Sequence, residues 1–142
     1  MNKVNGRERE DGTMDLNELS AKIIRAAINV HKELGPGLLE SVYQACLLIE
    51  LKNMDLDAKE EFPVPVIYQD QIVKEEGFRI DILVEDQIIV ELKSVEKVQP
   101  VFLKTLLTYL RLAKKQLGLL INFNEVLLKD GIKRVINTPE QL

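Results

Sequence analysis

A chain of 142 residues, 46% apolar with a net charge of −4, is large enough for one domain with a real core, and its acidity weighs against strong non-specific binding to nucleic acid. A single cysteine, Cys46, excludes an internal disulfide and fits a reducing cytoplasm, and with one histidine, His31, it excludes a standard Cys/His zinc site. No apolar run approaches the ~18 residues of a membrane span, the N-terminus is too polar for a signal peptide, and there is neither a Gly-rich phosphate loop nor a Gly-x-Ser-x-Gly elbow.

Residues 1–14 are polar and aperiodic, which predicts a flexible tail before a single domain, 15–142. Asp15, with Glu18 three residues on, reads as a capping box opening a helix whose apolar stripe is Ile23, Ala27, Val30 and Leu34. Gly35-Pro36-Gly37 ends it. A second helix follows over 39–54, with Leu39, Val42, Cys46 and Ile49 at helical spacing. Phe62, Val64, Val66 and Tyr68 alternate as in a strand, and Pro63 and Pro65 put that strand at a sheet edge. Two further strands, 77–84 and 87–94, make a hairpin. Pro100 opens a third helix running to about Lys115, with Leu103, Leu106, Leu107 and Leu110 facing the core. The run Leu117 to Phe123 is apolar throughout, the pattern of a strand buried on both faces, and strand–helix–strand implies a right-handed parallel crossover. A turn at Asp130-Gly131 precedes a last strand, Ile132 to Ile136. The order predicts an α/β fold, a mixed sheet flanked by helices.

The chemistry concentrates in the hairpin. Asp81 interrupts the series Phe78, Ile80, Ile82, Leu83, Val84, and Glu91 and Lys93 follow Ile88-Ile89-Val90. Charges at the ends of apolar strands cost several kcal/mol unless paired or bound to a metal. Glu91 and Lys93 share one face because strand side chains alternate. A two-residue turn at Glu85-Asp86 would set Asp81 opposite Val90 and put Glu91 on the wrong face. A three-residue loop, Glu85 to Gln87, sets Asp81 opposite Glu91, with Lys93 one step further. Such a cluster suits a divalent cation handling phosphate; the alternative is a structural salt bridge among the three side chains.

Charge is unevenly spread. Residues 93–134 hold nine Lys or Arg against three Asp or Glu, whereas residues 1–92 hold 10 against 19. Lys97, Lys104, Arg111 and Lys114 are therefore candidate nucleic-acid contacts on a basic lip; the alternative is that they are solvated helix faces.

The string Val30 to Gly37, followed by Gly37, Glu40 and Tyr43, resembles the GxxExxY protein family within the PD-(D/E)XK nuclease-like superfamily. Asp81, Glu91-Leu92-Lys93 and Gly118 to Phe123 fit the motif strands of that superfamily. The resemblance covers roughly 15–137 and implies a restriction-endonuclease-like three-layer fold. It implies a cluster of Glu40, Asp81, Glu91 and Lys93, with the Leu92 backbone carbonyl, around Mg²⁺ or Mn²⁺. It further implies supporting roles for His31, Tyr43 and Tyr109, and hydrolysis of phosphodiester bonds in DNA or RNA. Each also has a plainer reading. Glu40 suits a helix start, His31 a helix C-terminus, and Tyr43 a core position with a bonded hydroxyl. The chain departs from the pattern at Phe102, where histidine is common, and at Lys104-Thr105, where Ala-Gln is common. The expected function is a cytoplasmic metal-dependent nuclease, with or without a homodimeric or protein partner; the alternative is a non-catalytic nucleic-acid-binding or assembly module.

Overall fold

The computed structural model describes residues 14–138. Of the expected tail, residues 1–13 lie outside the described residues. Met14 is buried, and its backbone N–H and C=O exchange 3.1 Å hydrogen bonds with the Gln87 side-chain amide.

Asp15 caps helix α1 (Leu16–Leu34), accepting from the N–H groups of Asn17 and Glu18 at 2.8 and 3.2 Å. Ile23, Ala27 and Val30 are buried, while Leu34 stands at the surface. Gly35 and Gly37 take φ of 73° and 97°, conformations that a Cβ resists, and the chain turns into α2 (Glu40–Asn53). This helix buries Tyr43, Leu47, Leu48 and Leu51. The stripe suggested by spacing is wrong: Leu39, Val42 and Ile49 are exposed and Cys46 is half-buried. Because α2 is apolar on two sides, periodicity offered two faces. Inward rotation of the other one gives the tyrosine ring a stacking partner and its hydroxyl hydrogen bonds.

Strands β1 (Ala58–Tyr68) and β2 (Gln71–Val84) form a long hairpin, in which β2 starts six residues before the strand expected over 77–84. The sheet order is β1-β2-β3-β4-β5, with β1 at an edge, where its prolines are tolerated. Strand β3 (Ile88–Lys93) pairs antiparallel with β2 through Val84↔Ile88, Leu83↔Ile89 and Ile82↔Val90, so the connection is the three residues Glu85, Asp86 and Gln87. Helix α3 (Pro100–Ala113), with proline in its first turn, runs back from the end of β3 to the start of β4 (Leu117–Asn122), which lies parallel to β3. The antiparallel edge strand β5 (Ile132–Ile136) follows a short 3₁₀ turn, Leu128–Gly131. Gly118 permits the close approach of α3, because a Cβ there would lie 2.9 Å from a Leu106 methyl.

Two cores result. Residues of α1 and α2 pack on one face of the sheet with Val84, Val90, Leu119 and Ile121; Leu106 and Leu110 of α3 pack on the other with Leu83, Ile89 and Leu120. Of the expected α3 core face, Leu103 and Leu107 are only half-buried. The molecule is a three-layer α/β fold, and the C-terminal end of β3 lies between the two helical layers.

Candidate active site

The β2–β3 ladder stops where the charges begin. Its last backbone pair is Ile82↔Val90, and side chains carry the next contacts. The Asp81 N–H donates to Glu91 Oε2 at 2.8 Å, and the Leu92 N–H donates to Asp81 Oδ2 at 2.8 Å. Each carboxylate thus spends one oxygen closing the gap between parting strands. The N–H and C=O of one strand residue point to the same side, so the Leu92 carbonyl also faces this fork. Lys93 points its backbone the other way, accepting from the Phe123 N–H at 2.9 Å.

The strand bends at the same point. Ile82 and Val84 pack with α1 and α2, but Ile80 packs with α3. Regular alternation would keep Ile80 and Ile82 on one face. The neighbouring β1 absorbs the bend: Glu61, which would pair with Asp81, has φ of 49° and drops out of the ladder. Its Oε2 accepts from Gln44 Nε2 of α2 at 2.9 Å. Glu61 is thereby a further acid at the fork, and sequence reasoning missed it, because nothing in Glu60-Glu61 marks which residue turns inward.

Electrostatics fit this crowding. Burial, together with the charges of Glu61 and Glu40, raises the Asp81 carboxyl above its usual range, although the Leu92 N–H and Lys93 oppose the shift. Burial first, and Asp81 second, push Glu91 up to about 8. Among the described residues no three His, Cys, Asp or Glu side chains form a ready-made cage. The donor set is instead a tight carboxylate pair, a facing carbonyl and outlying acids. All the donors are oxygen, a set that fits a hard divalent cation keeping several of its waters.

Lys93 offsets the pair only in part, opposing the upward shift of both carboxyls from a distance. No ion pair joins it to a described carboxylate, so the structural salt bridge is not formed. Its Nζ stands 4.3 Å from the centroid of the Phe102 ring. Beside it opens a cleft of about 260 Å³, lined by Glu91 and Lys93 of β3 and by Phe102, Thr105, Leu106 and Tyr109 of α3. Tyr109 stacks on Phe78 with centroids 4.1 Å apart, and burial plus the charges of Glu91 and Asp81 raise its hydroxyl pKa.

The remaining candidates divide. Tyr43 donates to the Gly35 carbonyl at 2.5 Å and accepts from the Leu38 N–H at 3.1 Å, and its ring stacks 4.4 Å from Phe123. It shapes the turn before Glu40 and ties it, through Phe123, to the Lys93 backbone. Ser94 Oγ adds a 2.6 Å bond to the Leu38 carbonyl. Glu40 itself is exposed in the first turn of α2. Buried Asn122, which no chemical pattern marked, fixes the exit of β3 through both the N–H and the C=O of Val95. His31 is not brought to the fork: its Nε2 bonds the Glu125 carbonyl at 2.7 Å, and it lines another hollow, with Lys32, Val126 and Lys129.

The basic stretch does not form one lip. Because α3 runs away from the fork, Lys97 lies at the near end and Lys114 at the far end. Lys104 and Arg111 fall roughly half a turn around α3 from Phe102 and Tyr109. Lys115 pairs with Asp86 at 3.1 Å, and Arg134 bonds Ser20 at 2.9 Å, both remote from the end of β3.

A mixed five-stranded sheet between helical layers, split at a carboxylate pair, has the restriction-endonuclease-like arrangement. Residues 17–135 match the family model of the PD-(D/E)XK nuclease superfamily, and the chain belongs to that superfamily. Comparison with curated proteins and with solved structures gave no match. Among the described residues no helix is long and apolar enough to cross a membrane.

Proposed function

We propose that this chain is a cytoplasmic metal-dependent nuclease of the GxxExxY type, hydrolysing phosphodiester bonds in DNA or RNA. Asp81 and Glu91 would hold one Mg²⁺ or Mn²⁺, with the Leu92 carbonyl and Glu40 completing the protein ligands. The observation that carries the reading is the half-buried carboxylate pair at the strand fork, with which the adjacent lysine makes no direct ion pair. A bound divalent cation supplies a water of lowered pKa and charge to offset that on the phosphate. Lys93, parked on Phe102, is free to engage a phosphate oxygen or orient the attacking water. Exposed Lys97 would contact phosphate nearby, while Lys104, Arg111 and Lys114 would reach only nucleic acid passing along the outer side of α3. A second copy or a protein partner would extend that surface.

A second reading is a non-catalytic nucleic-acid-binding or assembly module. It draws on Glu40 being exposed and on the lack of a three-acid cage among the described residues. Calorimetric titration of Mg²⁺ and Mn²⁺ into wild type and Asp81→Asn, with cleavage assayed on the same preparations, decides between them. The nuclease reading requires binding and cleavage by wild type, with both lost in Asp81→Asn. Binding without cleavage favours the module, and no binding at all rejects the metal site.

A further inference from the structure

We propose that the cleft beside Lys93 seats one unpaired nucleobase next to the scissile phosphate, so that the substrate class is single-stranded or frayed nucleic acid. The inference rests on the nuclease reading and adds to it a base slot.

The cleft is lined by Glu91 and Lys93 of β3 on one side and by α3 on the other, where Thr105 and Tyr109 add hydroxyls to an otherwise apolar wall. Phe102 and Tyr109 are seven residues apart, two turns along one helix face and about 10 Å along the axis. Thr105 and Leu106 lie between them. When Lys93 engages a phosphate, the Phe102 face it covers becomes a stacking surface; Tyr109, one face already stacked on Phe78, closes the far end, and the Thr105 hydroxyl offers a hydrogen-bonding group for the edge of a flat heterocycle. A phosphodiester held by Lys93 and the carboxylate pair has its neighbouring nucleoside at the mouth of this slot. Duplex bases are already stacked and paired, so entry would require flipping, which is least costly for an unpaired base. The charge distribution agrees. Lys104 and Arg111 turn away from the cleft, and Glu40, Glu61, Asp81 and Glu91 surround the fork. A duplex, with its denser phosphate charge, finds no run of basic residues on the cleft side of α3 among the described residues.

The test uses a short end-labelled DNA strand in Ca²⁺, with anisotropy as the binding readout. An abasic nucleotide is moved along the strand one position at a time. At one position its introduction should weaken binding about 5- to 140-fold, the range for loss of one stacked base. Phe102→Ala should cause a similar loss and make the abasic change silent, while Phe102→Trp should restore the base dependence. With Mn²⁺, wild type should cut the single strand faster than the same sequence as a duplex. A flat abasic scan, or equal cleavage of the duplex, overturns the base slot. Mn²⁺ titration without nucleic acid separates this failure from that of the nuclease reading. Metal binding and cleavage with a flat scan reject only the slot; no metal binding and no strand binding reject both.

Discussion

Glu91 should make this protein less stable as pH rises, until metal is added. Burial and the neighbouring Asp81 carboxylate lift its carboxyl from 4.5 to about 8. Below pH 4.5 the folded and unfolded chains both hold this proton. Between there and pH 8 the unfolded chain releases it while the folded chain keeps it, so stability falls across the window. At about 1.36 kcal/mol per pH unit, the full loss is at most about 4–5 kcal/mol. Asp81, raised for the same leading reason, adds with the same sign. Glu91→Gln keeps an oxygen for the Asp81 N–H but has no proton to lose. In chelator the two proteins should melt together near pH 4. By pH 8 the variant should be more stable by about 2–4 kcal/mol, or roughly 10 °C in Tm. Taking the difference between two proteins cancels every titration that does not couple to Glu91; the Asp81 carboxyl, which does couple to it, stays in the difference. Mn²⁺ should then raise the wild-type Tm and leave Glu91→Gln unmoved. Thermal melts at several pH values, with and without Mn²⁺, measure all of this. A wild type that gains on the variant between pH 5 and 8 would refute the reasoning.

Glu40 is exposed, so Glu40→Gln should leave the melting curve nearly unchanged while weakening Mn²⁺ binding; a lower Tm with intact affinity would make it a helix-start residue alone. Replacing Lys104, Arg111 and Lys114 by Ala should reduce the salt slope of duplex binding by up to ~0.9 for each phosphate no longer neutralised, and an unchanged slope would mark these side chains as solvated. Because Lys104 and Arg111 lie on the side of α3 away from the cleft and Lys114 lies at its far end, the same variant should change the cleavage of short single strands little, which single-turnover assays would read.

Local chemistry made much of this legible in advance. Asp15 and the two glycines set the bounds of α1, and the prolines of β1 marked an edge. A shared face for Asp81 and Glu91 required an odd loop or a bulge, and the ladder has the odd loop, Glu85–Gln87. What stayed hidden depended on partners distant in sequence. The buried face of α2 could not be chosen between two apolar stripes without knowing that Tyr43 meets Phe123. Glu61 reaches the fork only because β1 bends with β2, and Gln44 meets it from a different element. Net charge by segment could not show that α3 carries its basic residues away from the site and that Arg134 turns toward α1. Lys93 resting on Phe102 rather than on the carboxylates was equally unreadable, since an aromatic ring in the next helix announces nothing about a motif on a strand.

The most direct test of the central claim is single-turnover cleavage by wild type and Lys93→Ala, with Mn²⁺, on single- and double-stranded DNA and RNA. Lys93 makes no ion pair with a described carboxylate, so its loss should spare the fold and the metal site. A group that acts chiefly on charge developing in the transition state should cost about 100-fold or more in rate when removed. The account predicts that loss, with Mn²⁺ affinity retained. Wild-type cleavage that survives Lys93→Ala undiminished would contradict it.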